Sequence, residues 1–208
     1  MSNHNEAAAI NHVHRDDVGA KMGMWLFLFT EVLLFGGLFL IYAVYRYQHP
    51  DQFRLAGMEL NTSIGTLNTI ILLTSSLTVA LSIAAMQKKN KFLSMLMLSL
   101  TLFFALMFMV NKYFEWSAKF AHGIYPGSDE LLGLPNGQIL FFGLYYVMTG
   151  LHGLHVIVGV VLLSVMLYLI AKDKITPDHI TKLENSGLYW HLVDLIWIFL
   201  FPLFYLIQ

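Results

Sequence analysis

The chain has no cysteine, which excludes disulfides, iron–sulfur clusters and thiolate metal sites. Charge is scarce as well. Asp, Glu, Lys and Arg make up 12% of the residues, about half the share of an ordinary soluble domain. The formal net charge is −1, so no acidic or basic bias points to nucleic acid. The first twenty residues, MSNHNEAAAINHVHRDDVGA, are polar. They lack the basic start, apolar middle and small-residue cleavage site of a signal peptide. Low-complexity tracts and a convincing internal repeat are also missing.

What is plentiful is apolar surface, with 57% of the residues hydrophobic. A helix needs about 20 apolar residues to cross the hydrocarbon. Five segments meet that need: Met22–Tyr45, Ile64–Met86, Phe92–Val110, Ile139–Ile170 and Leu188–Ile207. The expected fold is an all-α integral membrane bundle of five transmembrane helices. It comprises a polar segment over 1–21 and one membrane domain over 22–207. The fourth span is longer than a crossing requires, so it tilts or protrudes. An odd number of spans makes inverted halves, the mark of many transporters, hard to draw.

Basic residues set the orientation, because they favour the cytoplasmic side. With the N-terminus inside, the inner segments hold Arg15, Lys21, Lys88, Lys89, Lys91, Lys172, Lys174 and Lys182. The outer segments hold Arg46, Arg54, Lys112 and Lys119. The expectation is therefore a cytoplasmic N-terminus and an outer C-terminus. Hydroxyl and small residues crowd the second span, and Gly150, Gly153 and Gly159 line the fourth; both patterns suit close helix packing.

Glu31 and Asp194 read as the carboxylates clearly inside spans. A charge at the centre of a membrane helix costs about 2.5–3.5 kcal/mol even on lenient scales, so such residues are usually functional or paired. Glu31 lies roughly 14 Å along its helix from Met22, at 1.5 Å per residue, near the midplane. A proton-linked role and a structural hydrogen bond both remain open for it. His191 and Asp194 are three residues apart and share a helix face, as an imidazole held by a carboxylate would require. His152 and His155, in GLHGLHVIVG, share a face in the same way. They suit a haem or metal ligand, a proton relay, or a hydrogen-bonded tie between helices. Haem needs axial ligands from facing helices, and His191 is the only other histidine within a span. Zinc needs further ligands close by, and no HExxH or cysteine pair offers them. By depth, Glu31 is the natural partner for His155, which would join the first and fourth spans. A few buried ionisable groups without a cofactor set of their own point to a partner in a larger membrane complex.

The motifs resemble subunit III of the haem–copper respiratory oxidases. MGMWLFLFTEVLLFGGLF resembles that family's span with a membrane-buried glutamate, which falls on Glu31. LNTIILLTSSLTVALS resembles the next span, with Asn68. YYVMTGLHGLHVIVG resembles the fourth-span signature with both histidines in register, and YWHLVDLIWIFLFPLFYL resembles the C-terminal signature with Trp190, His191, Asp194 and Trp197. The end of the third span, NKYFEW, fits more loosely and keeps Glu115. Longer members have two further N-terminal helices, so this chain resembles the short five-span bacterial form, including that of quinol oxidases.

The resemblance implies a subunit of the bacterial cytoplasmic membrane that binds no redox cofactor itself and docks directly on catalytic subunit I, beside subunit II and other subunits of the complex. Haem and copper belong to subunit I, which reduces dioxygen to water and pumps protons. It further implies support of proton uptake and sustained turnover, and a structural phospholipid held between helices. In longer members the first two helices form one wall of that lipid cleft. By position Glu31 is the buried carboxylate, His155 its neighbour, and His191 with Asp194 the C-terminal pair. Three rival readings are a subunit-III-like accessory protein of nitric oxide reductase, a haem-binding membrane cytochrome, and a proton-coupled carrier using Glu31.

Overall fold

The computed structural model describes residues 2–175 and 180–206, with side chains from Val18 onward. The expectations placed on Met1, on the side chains up to Asp17 (Arg15 among them) and on Ile207 lie outside these residues. Among the described residues all regular structure is helical: α1 (Ser2–Gln48), α2 (Pro50–Gly57), α3 (Thr62–Gln87), α4 (Lys91–Ala121), α5 (Asp129–Leu132), α6 (Asn136–Ala171), α7 (Thr181–Phe201) and a π-helical turn over Pro202–Leu206. Five of these stretches are long and apolar enough to cross a membrane: Val18–Gln48, Thr62–Gln87, Lys91–Ala121, Asn136–Ala171 and Thr181–Leu206.

The third span runs past its expected end at Val110, to Ala121. NKYFEWSAKFA reads as a polar loop when hydropathy is averaged along it. In the fold, Lys112, Glu115 and Lys119 instead continue the buried stripe of α4, which begins Ser94, Leu98, Thr101, Ala105, Phe108. That spacing of threes and fours is one helix face. Its charges point inward, Lys112 onto Glu115 and Lys119 onto the Glu59 carbonyl, so the helix has no reason to stop. Glu115 is thus a third carboxylate on a helix long and apolar enough to cross a membrane, and it is buried. The loop after α1 also gains structure, because PDQFRLAG starts on a proline suited to the first helical turn and buries Phe53 and Ala56.

Short links fix the order of packing. Between α3 and α4 the chain turns on Lys89 in the left-handed region (φ 59°). The Asn90 side chain then caps α4 by accepting from the Leu93 N–H at 3.1 Å. The paired helices are joined by hydroxyls: Ser82 with Ser94 at 3.1 Å and Thr78 with Thr101 at 2.8 Å. α7 lies against α3, α6 and α1 and is the most enclosed span. Half of its apolar window is buried (50%), against 11% for α1. Pro202 cannot donate a helical hydrogen bond, and the backbone loosens there into the π-helical turn. The Tyr42 hydroxyl donates to the Leu203 carbonyl at 2.8 Å, and Thr62 donates to that of Tyr205 at 3.2 Å.

Candidate functional site

Glu31 on α1 and His155 on α6 meet across 124 residues of sequence: His155 Nε2 lies 2.9 Å from Glu31 Oε2. Both side chains are largely enclosed, at 13% and 14% exposure. The other ring nitrogen, Nδ1, is 2.8 Å from the Leu151 carbonyl. A carbonyl only accepts, so Nδ1 carries a proton and donates it there. One further proton is then shared between Nε2 and the carboxyl oxygen. Whether it sits on oxygen or on nitrogen, the pair is neutral as a unit, the form best suited to this depth. Phe35, one turn beyond Glu31, sets its ring edge-on to the imidazole at 5.5 Å. The Tyr189 hydroxyl donates to the His155 carbonyl at 3.1 Å, tying α7 to the same place.

His152 departs from the expectation of a hydrogen-bonding role. It is completely buried, and neither ring nitrogen has a hydrogen-bond partner among the described residues. Its neighbours are rings, Phe108 edge-on at 5.7 Å and Trp197 at 5.2 Å. Three residues along a helix leave an offset of about 60°. That turns His155 toward α1 but His152 toward α4 and α7.

His191 and Asp194 also differ from the expected pair. No hydrogen bond joins them. His191 Nδ1 instead lies 2.7 Å from the Ser76 hydroxyl on α3. Asp194 is buried beside the same hydroxyl, yet neither carboxyl oxygen has a partner of ordinary hydrogen-bond geometry among the described residues. The interhelical hydroxyls of α3 reach these side chains more directly than an i, i+3 neighbour does.

Of the expected packing residues, Asn68 is fully buried and accepts from Asn111 on α4 at 2.9 Å. At Gly159 an added Cβ would stand 2.7 Å from the Trp190 ring, and at Gly150 it would stand 3.3 Å from Trp116. Gly153 is different, because a Cβ there would meet nothing within 4 Å. It faces a cavity of about 620 Å³ between α4 and α6 that is also lined by Phe108, Trp116 and Leu154.

The sequence reading missed a second polar cluster. Lys112 Nζ lies 3.2 Å from Glu115 Oε2 and donates to the Tyr145 and Tyr205 hydroxyls at 3.2 and 3.1 Å. Both tyrosine hydroxyls in turn donate to Glu115 Oε1. The ammonium also stands 5.3 Å from the centre of the Trp197 ring. The signal was the placement of Lys112, Glu115 and Lys119 in register with the apolar stripe before them. Among the described residues no group of three or more His, Asp or Glu converges as a metal site.

The family described as Cytochrome c oxidase subunit III matches residues 4–208. The Cytochrome c oxidase subunit 3 of Thermostichus vulcanus is 30% identical over 206 residues, which cover 97% of this chain and 94% of that protein. The Cytochrome bo(3) ubiquinol oxidase subunit 3 of Pseudomonas putida is 30% identical over 192 residues, covering 89% of this chain and 84% of the relative. The Heme-copper oxidase subunit I+III of Aeropyrum pernix is 31% identical over 193 residues; these cover 90% of this chain but 22% of that longer protein. With a family match over nearly its whole length, this five-span chain belongs to the cytochrome c oxidase subunit III family.

Proposed function

We propose that this chain packs directly on the catalytic subunit I of a haem–copper terminal oxidase in a bacterial cytoplasmic membrane, with its N-terminus on the cytoplasmic side. There it supports proton uptake and sustained turnover during the reduction of oxygen to water. Haem and copper reside in subunit I and supply the oxygen chemistry; this chain contributes no redox centre. Subunit II and the remaining subunits complete the complex. Membrane lipid is the other partner, and the apolar cavity of about 620 Å³ between α4 and α6 has room for an acyl chain.

The observation that carries this reading is the Glu31–His155 contact at 2.9 Å. With Nδ1 committed to a carbonyl, the pair holds one exchangeable proton in the middle of the membrane and stays neutral whichever atom bears it. Such a pair passes its proton between carboxyl and imidazole without changing its net charge, in hydrocarbon where isolated ionised side chains are expensive. The Aeropyrum pernix relative, whose name joins subunits I and III in one protein, supports direct contact with subunit I.

The test is Glu31→Gln. The amide still bonds to His155 but carries no exchangeable acid proton. The expected outcome is a complex that assembles in normal yield and starts at a near-normal rate, then loses oxygen consumption over successive turnovers. Equal activity of mutant and wild type through prolonged turnover would defeat the proton-linked role.

A further inference from the structure

α7 leaves a single stripe uncovered. Leu195, Ile198 and Phe199 are exposed and His191 is partly exposed, a spacing of threes and fours along one face. The adjoining face of α3 exposes Leu73 and Leu77, with Ser76 partly open between them. Apart from Thr74, whose hydroxyl donates to the Ile70 carbonyl of its own helix, the polar residues uncovered here are Ser76 and His191, which bond to each other. Both lie close to the middle of their spans, Thr62–Gln87 and Thr181–Leu206, within about 4 Å of the centre at 1.5 Å per residue.

The imidazole uses only Nδ1 in its bond to Ser76. Nε2 makes no hydrogen bond among the described residues, and it is not among the enclosed atoms, so it opens at the surface of the bundle. Three residues along α7, Asp194 is buried with both oxygens lacking a well-formed hydrogen bond. Polar side chains at this depth almost always face a bundle interior or a partner helix. Lipid tails offer nothing for Nε2 to bond. Tyrosine and tryptophan headgroup-level anchoring is equally out of reach from the midplane.

We propose that the α3–α7 seam centred on Ser76 and His191 is the docking surface for a transmembrane helix of the catalytic subunit. That helix presents a hydrogen-bonding side chain to His191 Nε2 at mid-membrane depth. This inference rests on the reading of the chain as a subunit docked on subunit I, and it specifies which face makes the contact. The apolar residues on either side supply the packing area. The imidazole fixes the depth and rotation of the incoming helix, because a bond at the midplane is lost if that helix slides by a turn.

The test uses the assembled complex in its own membrane. A photo-crosslinking phenylalanine analogue is placed singly at Leu77, at Leu195, and at Leu154 on the α4–α6 face, all three being exposed. After illumination the adducts are identified by mass spectrometry. The expected result is adducts to the haem-bearing subunit from Leu77 and Leu195 and none from Leu154. Adducts from Leu154 alone would overturn the seam while leaving the docked subunit intact. If that subunit neither copurifies nor crosslinks from any position, the functional reading itself fails. A second measurement isolates the polar contact. His191→Leu is expected to lower the Leu77 and Leu195 yields by about fivefold to tenfold, the scale of one interhelical hydrogen bond in a membrane, and His191→Gln is expected to restore them. Unchanged yields with His191→Leu would remove the hydrogen bond from the proposal.

Discussion

Lys112 and Glu115 are each under a tenth exposed, and the two tyrosines around them are buried as well. In such a cluster the components are unequal to the whole. Removing one charge strands the other, which typically costs about 3–5 kcal/mol, whereas replacing both with groups of similar volume is often close to neutral. Lys112→Met is therefore expected to destabilise the protein by that amount, because Glu115 keeps only its two tyrosine donors. Adding Glu115→Gln should recover most of the loss. Thermal unfolding of the detergent-solubilised single and double mutants measures both values. Additive losses would mean that the two residues act separately. The Glu31–His155 contact was legible from the sequence, since depth along the first span and the histidine spacing in the fourth bring both to the midplane. The environment of His152 was not legible. A 60° difference in direction along one helix decides between a carboxylate and two aromatic rings, and only the placement of α4 and α7 settles which neighbour is met.

At the scale of elements, the spans were readable because about 20 apolar residues admit few alternatives, while their ends were not. α4 shows why: averaged hydropathy counts Lys112, Glu115 and Lys119 as loop, although their spacing keeps them on the buried face. The Ser76–His191 bond was hidden for a related reason. It depends on the antiparallel register of α3 and α7, which also sets Trp190 against Ser75 and Trp197 against Thr69, each at 3.1 Å. The absence of native cysteine makes the orientation of these elements directly measurable. A single cysteine at Lys88, exposed in the α3–α4 link, is expected to react with a membrane-impermeant maleimide only from the cytoplasmic side. One at Pro126, exposed in the link after α4, should react only from outside. The reverse pattern would invert the bundle, and with it the side from which a proton would reach Glu31.

For the molecule as a whole, the distribution of burial matters more than any one contact. α1 is the least enclosed span and α7 the most, so the bundle is tightly held around α7 and open at its margin. A chain with such large apolar faces is suited to partners, but those faces say nothing about electrons. The histidines speak to that. His152 is enclosed by Phe108 and Trp197, His155 is bound through both nitrogens, and His191 is joined to Ser76 on the far side of α7. Two axial ligands for a shared haem would have to break at least one of these arrangements and open the packed core. If subunit III is stripped from the oxidase in stronger detergent, the visible haem spectrum is therefore expected to remain entirely with the catalytic subunit. The separated chain should be colourless while retaining its helical circular dichroism. The depleted enzyme should begin at a normal rate and decay during turnover, in the same way as the Glu31→Gln complex. Haem that travels with the separated chain would instead place a ligand site among His152, His155 and His191. The packing around α7 would then have to be a resting arrangement that rearranges on assembly.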